Sequence, residues 1–169
     1  MIVVIMGTTG AGKTTIGRLL ALRMGWTFAD ADDFHSAKNI EKMRQGIPLT
    51  DADRGPWLRA MREQILLWIA AGVNGVLACS ALKRSYRAEL LIPEDGAQNA
   101  SGEVHLVYLK GSAELIAARI HNRTGHFAGE KLLSSQLATL EEPAGAIVVD
   151  ISLSPSEIVG EITRRLPLV

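Results

Sequence analysis

The run Gly7-Thr8-Thr9-Gly10-Ala11-Gly12-Lys13-Thr14 matches the spacing GxxxxGK[ST], and Thr15 adds one more hydroxyl. Each residue type has a chemical reason to be there. Glycines let the backbone bend until successive N–H groups point inward at phosphate oxygens. The Lys13 ammonium then reaches the β- and γ-phosphates, and the Thr14 hydroxyl can ligate Mg²⁺. A helix opening near Lys13 turns its positive end toward the same oxygens. A glycine-rich turn without a ligand is the plain alternative. The apolar run before Gly7 and the helical pattern after Lys13 argue against it. Such a loop defines a phosphoryl donor but leaves the acceptor open.

Acceptor chemistry must come from other residues. Asp30-Ala31-Asp32-Asp33-Phe34-His35 packs three carboxylates into four residues after a short strand-like run. That crowding is unfavourable unless a cation or hydroxyl donors share the site. Strand alternation would set Asp30 and Asp32 on one side and turn Asp33 away. One of the pair can hold Mg²⁺ through water while the other takes a proton from an attacking hydroxyl. Capping of the next helix is the structural alternative.

Farther along, Arg54 is either a clamp for a carboxylate or phosphate or a solvated arginine. Trp57 reads as core. Ser80 stands where a Walker B strand would present an aspartate, so a metal must rely on Thr14 and the Asp30 region. Lys83, Arg84 and Arg87 gather positive charge beyond it, while Cys79 reads as a small buried apolar residue. His105 fits a strand residue facing a neighbour; His35 and His126 fall in candidate site segments. The stretch 119–133 carries Arg119, His121, Arg123, His126 and Lys131, with glycines at 125 and 129. It suits a lid or an exposed loop.

These groups need a scaffold, and the pattern supplies one. Short apolar runs at 2–6, 27–29, 76–79, 104–109 and 147–149 alternate with helical patterns at 13–24, 37–45, 54–71, 84–91, 113–122, 130–140 and 155–166. That alternation predicts a parallel sheet wrapped by helices, an α/β fold. Ser154, Pro155 and Glu157 form a helix start, and Ser112 is a cap candidate. The polar stretch 93–102 reads as a surface loop.

The chain has 169 residues, 47% hydrophobic and 21% charged, which predicts a single globular domain over 1–169. Eighteen basic residues against eighteen acidic ones exclude a partner held by bulk charge, whether nucleic acid or anionic membrane. A single cysteine permits no intramolecular disulfide and no zinc spacing is present, which fits a cytoplasmic setting. The apolar start is too short for a signal peptide or membrane helix.

Taken together, the motifs resemble the gluconokinases of the P-loop type, relatives of shikimate and nucleoside monophosphate kinases. The likeness spans residues 5–158. It is carried by the Gly7 to Thr14 loop, by Asp30-Ala31-Asp32 with His35, and by Asn39-Ile40-Glu41-Lys42-Met43 with Gly46-Ile47-Pro48-Leu49. It continues through 51–58, 79–87, Arg123-Thr124-Gly125-His126-Phe127 with Gln136, and Thr139-Leu140-Glu141 with Pro143.

The resemblance implies a three-layer P-loop kinase fold with a five-stranded parallel sheet, a substrate-binding helical region at about 35–60 and a mobile lid at about 123–133. It implies transfer of phosphate from ATP, with Mg²⁺, to the 6-hydroxyl of D-gluconate. Lys13, Asp32 and Arg123 would be catalytic: Asp32 would orient and deprotonate the acceptor, and Arg123 would swing onto the transferring phosphate. Gly7, Thr8, Thr9, Gly10, Ala11, Gly12, Lys13, Thr14 and Thr15 would hold ATP, with Arg119 and the segment ending at Pro155 beside the adenine. Thr14 and Asp30 would serve the metal. Asp32, His35, Arg54, Lys83 and His126 would meet gluconate, and a homodimer is implied as well. Asp33 departs from the apolar residue often found there and receives no role. The rival readings are a shikimate-like or other small-molecule kinase, and a nucleotide-binding regulatory module. A shikimate kinase would be expected to carry a glycine-rich turn after the third strand, where this chain has 79–83.

Overall fold

The structure, a computed structural model, describes residues 1–92, 104–124 and 127–167, except for the side chains of 123–124 and 127–130. Strand β1 (Ile2–Met6) is buried along its whole length, as a five-residue apolar run must be when both of its faces are covered. It forms the centre of an all-parallel sheet with β2 (Thr27–Asp30), β3 (Gly75–Ala78), β4 (Val104–Lys110) and β5 (Ile147–Asp150), in the order β2-β3-β1-β4-β5. Val3 pairs with Val76 on one side and His105 on the other.

Alternation along β1 divides the core between two faces. Val3 and Ile5 pack with Ile16 and Leu20 of α1 (Lys13–Met24), Ile116 and Ile120 of α5 (Ala113–Thr124), and Ile158 and Ile162 of α7 (Pro155–Arg165). Ile2, Val4 and Met6 pack with Trp57, Leu58, Met61, Ile65 and Trp68 of α3 (Asp51–Ala70). Helices on both faces of a parallel sheet make three layers. The remaining helices are α2 (Ala37–Arg44), α4 (Arg84–Glu89) and α6 (Phe127–Thr139).

Several boundaries differ from the sequence expectation, each for a local reason. Helix α3 starts at Asp51, three residues earlier than expected, because Thr50 and Asp53 form a reciprocal capping box. Lys42 and Thr50 hold the Asp53 carboxyl far below the usual carboxylate range, Lys42 having the larger effect. Helix α4 ends at Glu89 rather than 91, and Leu91 lies in the left-handed region at φ 61. The stretch 119–133 is mostly helical: α5 runs to Thr124 and α6 begins at Phe127. The expected loop 93–102 lies outside the described residues.

Parallel strands bring all their C-terminal ends to one edge. Chain order reverses across β1, since β3 lies on one side of it and β4 on the other. Ligands of open α/β sheets bind in the crevice at such a reversal, beyond the strand ends. The glycine loop leaves β1 at that point.

Candidate active site

The loop between β1 and α1 is bent as its glycines allow. Gly10 and Gly12 have φ of 78° and 93°, in the left-handed region. A Cβ on Gly10 would lie 2.7 Å from Ile120, so close packing also requires glycine there. Gly12 faces open space, with nothing within 4 Å of where a Cβ would sit. Lys13 Nζ donates to the Thr8 carbonyl at 2.9 Å, folded back over its own loop. Desolvation lowers its pKa from 10.5, while Cys79, Asp32 and Asp30 pull in the opposite direction. Its surface is partly exposed, yet the atoms around the ammonium are dense enough for burial to dominate. Thr8 Oγ1 is buried with no hydrogen-bond partner among the described residues. An orphaned hydroxyl, a half-desolvated ammonium and an open left-handed glycine together fit a phosphate chain.

Asp30 and Asp32 do meet near Lys13, but strand alternation is not what brings them there. The strand stops at Asp30, and a 3₁₀ turn spans Ala31–Phe34. Asp30 caps that turn by accepting the Asp32 N–H at 3.1 Å, and its other oxygen accepts the Thr14 hydroxyl at 2.7 Å. Asp30 thus caps the turn and faces Thr14 at once, while Asp32 is exposed. Thr14 and Asp30 present hard oxygens beside the phosphate loop, the donor set Mg²⁺ takes together with substrate phosphates. Among the described residues no group of three or more His, Cys, Asp or Glu gathers into a self-sufficient metal cage. Magnesium bound through phosphates does not need one.

Trp57 is core, as its sequence suggests, and it positions the site as well. Its indole N–H donates to the Ala31 carbonyl at 2.7 Å, fixing the acidic turn to α3. The His35 ring stacks on it with centroids 4.7 Å apart and planes 5° from parallel. His35 Nδ1 is buried with no hydrogen-bond partner among the described residues, and burial lowers its pKa from 6.5.

Arg54 and Lys83 come together from different elements. Arg54 NH1 donates to Tyr86 Oη at 3.1 Å and lies 3.5 Å from Asp51, while Lys83 Nζ is 3.1 Å from Asp51. Tyr86 also donates its hydroxyl to Asp51. That hydrogen bond, followed by the one from Lys83, lowers the Asp51 pKa, and Asp51 in turn raises that of Lys83. Two cations around one carboxylate leave a net positive corner. Asp51 and Tyr86 join Arg54 and Lys83 in this corner, contacts that sequence reasoning did not single out.

The expected cationic cluster at 83–87 is smaller than its sequence suggests. Arg87 is 1% exposed and donates to the Ala81 and Leu82 carbonyls at 3.0 and 3.1 Å. It holds the loop in which Ala81 takes φ 45°. Cys79 is buried, with its thiol pushed up to about 12, mainly by desolvation. A groove of about 310 Å³ lies between α3 and α4, lined in part by Asp51, Arg59, Tyr86 and Glu89. Neither Lys13 nor Asp32 lines it, so it is separate from the phosphate loop.

Arg119, expected beside the adenine, donates to the Ile151 carbonyl at 2.6 Å, bringing α5 to the loop before Pro155. Pro155 opens α7 behind the Ser154–Glu157 capping box. Thr15 is exposed on the first turn of α1. Gln136 accepts the Thr9 N–H at 2.5 Å, a contact no local pattern announced. The Arg123 side chain and all of His126 lie outside the described residues.

Comparison with known proteins agrees with this geometry. The Shikimate kinase family profile matches residues 9–167. A probable gluconokinase of Xenopus tropicalis is 47% identical, covering 100% of this chain and 97% of that protein. The gluconokinase of Gluconobacter oxydans (strain 621H) is 41% identical, covering 96% and 89%. The solved structure of a gluconokinase from Sinorhizobium meliloti 1021 superposes with a TM-score of 0.80 at 43% identity, covering 94% of this chain and 87% of that one. With a phosphate loop, an acidic turn and a cationic corner at one sheet edge, and with relatives this similar over nearly their whole length, the chain belongs to the gluconokinases, within the shikimate kinase family.

Proposed function

We infer that the protein phosphorylates D-gluconate at its 6-hydroxyl, with ATP as donor, releasing 6-phospho-D-gluconate and ADP. The observation that carries this reading is the pairing of a net positive corner, Arg54 and Lys83 around Asp51, with the carboxylate-bearing turn beside Lys13. A sugar acid has an anion at one end and a primary hydroxyl at the other. Such a molecule can lie with its carboxylate toward the cations and its hydroxyl toward Asp32. Tyr86 and His35 supply polar edges for the hydroxyls between.

The reaction needs little covalent help from the protein. Asp32 accepts the proton of the 6-hydroxyl as that oxygen bonds to the γ-phosphorus and the bond from phosphorus to the β,γ-bridging oxygen breaks. Lys13 leaves the Thr8 carbonyl for the phosphate chain, where its charge faces the oxygens that gain negative character. Thr14 and Asp30 would hold Mg²⁺, which supplies further neutralisation of phosphate charge when bound. Arg119 keeps the loop before Pro155 in place at the adenine end. Arg123 is assigned to the transferring phosphate and His126 to a gluconate hydroxyl in this reading. Excluding water from this cleft keeps the phosphate from hydrolysis.

The enzyme works in the cytoplasm as a homodimer in this reading. Among the described residues no helix is long and apolar enough to cross a membrane. Product analysis tests the reading directly. With [6-¹³C]gluconate, ATP and Mg²⁺, the carbon-6 resonance should shift and split by coupling to phosphorus, whereas a product whose carbon-6 resonance stays unsplit would reassign the acceptor oxygen.

A further inference from the structure

Lys83 is aimed at the acceptor corner from the N-cap position of α4, yet its own side chain makes no capping bond. The loop carrying it contains a non-glycine residue in the left-handed region, Ala81. Something must hold that loop. Arg87 does so from within α4, through the Ala81 and Leu82 carbonyls. The other support comes from a distant part of the chain. The Glu141 N–H donates to the Leu82 carbonyl at 2.9 Å, and the Glu141 carboxylate accepts the Arg84 N–H. The two bonds bracket Lys83 on both sides. The carboxylate also lies at the start of α4, where the helix dipole favours negative charge.

We propose that Glu141 is a positioning residue for gluconate: it touches no substrate and sets the direction of Lys83 by clamping the residues before and after it. The proposal rests on the assignment of Lys83 to the acceptor carboxylate. Glu141 is exposed and just beyond α6, so a purely structural carboxylate would be expected to act on stability alone. Glu142, next in sequence, supplies the comparison. It pairs with Lys110 at 2.8 Å and makes no described contact with the Lys83 loop.

The experiment is steady-state kinetics on Glu141→Ala, Glu141→Gln, Glu142→Ala, Lys83→Ala and the double variant Lys83→Ala/Glu141→Ala. Losing a charge-assisted bond that fixes a binding group should raise the gluconate KM about tenfold in Glu141→Ala, with kcat and the ATP KM within about twofold of wild type. Glu141→Gln retains an acceptor oxygen and should recover much of that loss. Glu142→Ala should be silent. The double variant should be no worse than Lys83→Ala, because Glu141 acts through Lys83. If Glu141→Ala fails to fold, Glu141→Gln alone should still raise the gluconate KM about threefold, as a weaker neutral acceptor. An unchanged gluconate KM in the Glu141 variants, with Lys83→Ala impaired, overturns the proposal and spares the Lys83 assignment. Equal shifts in both KM values, or full additivity in the double variant, also overturn it. A silent Lys83→Ala overturns that assignment first, and the role of Glu141 with it.

Discussion

Trp57 donates its indole N–H to the main-chain carbonyl of Ala31 at 2.7 Å, across 26 residues of sequence. One end of that bond is in the hydrophobic core and the other is in the turn that carries Asp30 and Asp32. The core therefore sets where the turn of Asp30 and Asp32 stands. Trp57→Phe keeps most of the apolar body and removes the donor, leaving a buried carbonyl without its partner. Stability in urea should fall by about 1–3 kcal/mol. Turnover should fall as well, because the turn loosens.

Lys13 and Asp32 occupy the centre of the proposed chemistry. Lys13→Ala and Asp32→Asn should each lower kcat by at least about 10²-fold, as removal of central catalytic groups does. Near-normal turnover in Asp32→Asn would leave that residue a positioning role only.

Arg54 belongs to the cationic corner and not to the phosphate loop. Arg54→Ala should raise the gluconate KM about tenfold or more while leaving ATP affinity within about twofold. Steady-state titration of each substrate separates the two effects. An unaltered gluconate KM would move the carboxylate site elsewhere.

Much of this was legible in the sequence, and the gaps have a common physical origin. The phosphate loop, the five strands and the caps at Ser112 and Ser154 are local features, written in adjacent residues. The relations that escaped are non-local. Asp51 meets Lys83 and Tyr86 more than thirty residues away. Gln136 reaches Thr9 across 127 residues. The acidic turn misled for a different reason: Asp30 bonds the N–H two residues on, a short-range side-chain contact that ends a strand and starts a 3₁₀ turn. Arg87 counts toward the positive cluster in the sequence but is buried; composition does not reveal which of two arginines three residues apart faces inward.

Gln136 holds an N–H of the phosphate loop with its carboxamide oxygen, where a phosphate oxygen can compete. A neutral hydrogen bond contributes about 1 kcal/mol, so Gln136→Ala should tighten a non-hydrolysable ATP analogue roughly fivefold. Calorimetric titration reads the change directly. Weaker binding would instead make Gln136 a partner of the bound nucleotide.

His35 has a folded-state pKa below the ordinary 6.5 because burial disfavours its charged form. Below 6.5 the unfolded chain takes up a proton more readily than the folded one, so stability should decline as the pH drops from 6.5 toward the folded-state pKa. Above 6.5 the effect is absent. Denaturant midpoints across pH 5–8 should show this slope, and His35→Gln should flatten it.

The central claim is that gluconate is the phosphoryl acceptor. It is tested most directly by ADP release from the purified enzyme with ATP and Mg²⁺, comparing D-gluconate with shikimate, a nucleoside monophosphate and buffer alone. Gluconate alone should raise the rate well above the buffer control. A rate with gluconate no higher than buffer, or stimulation by shikimate in its place, would contradict it.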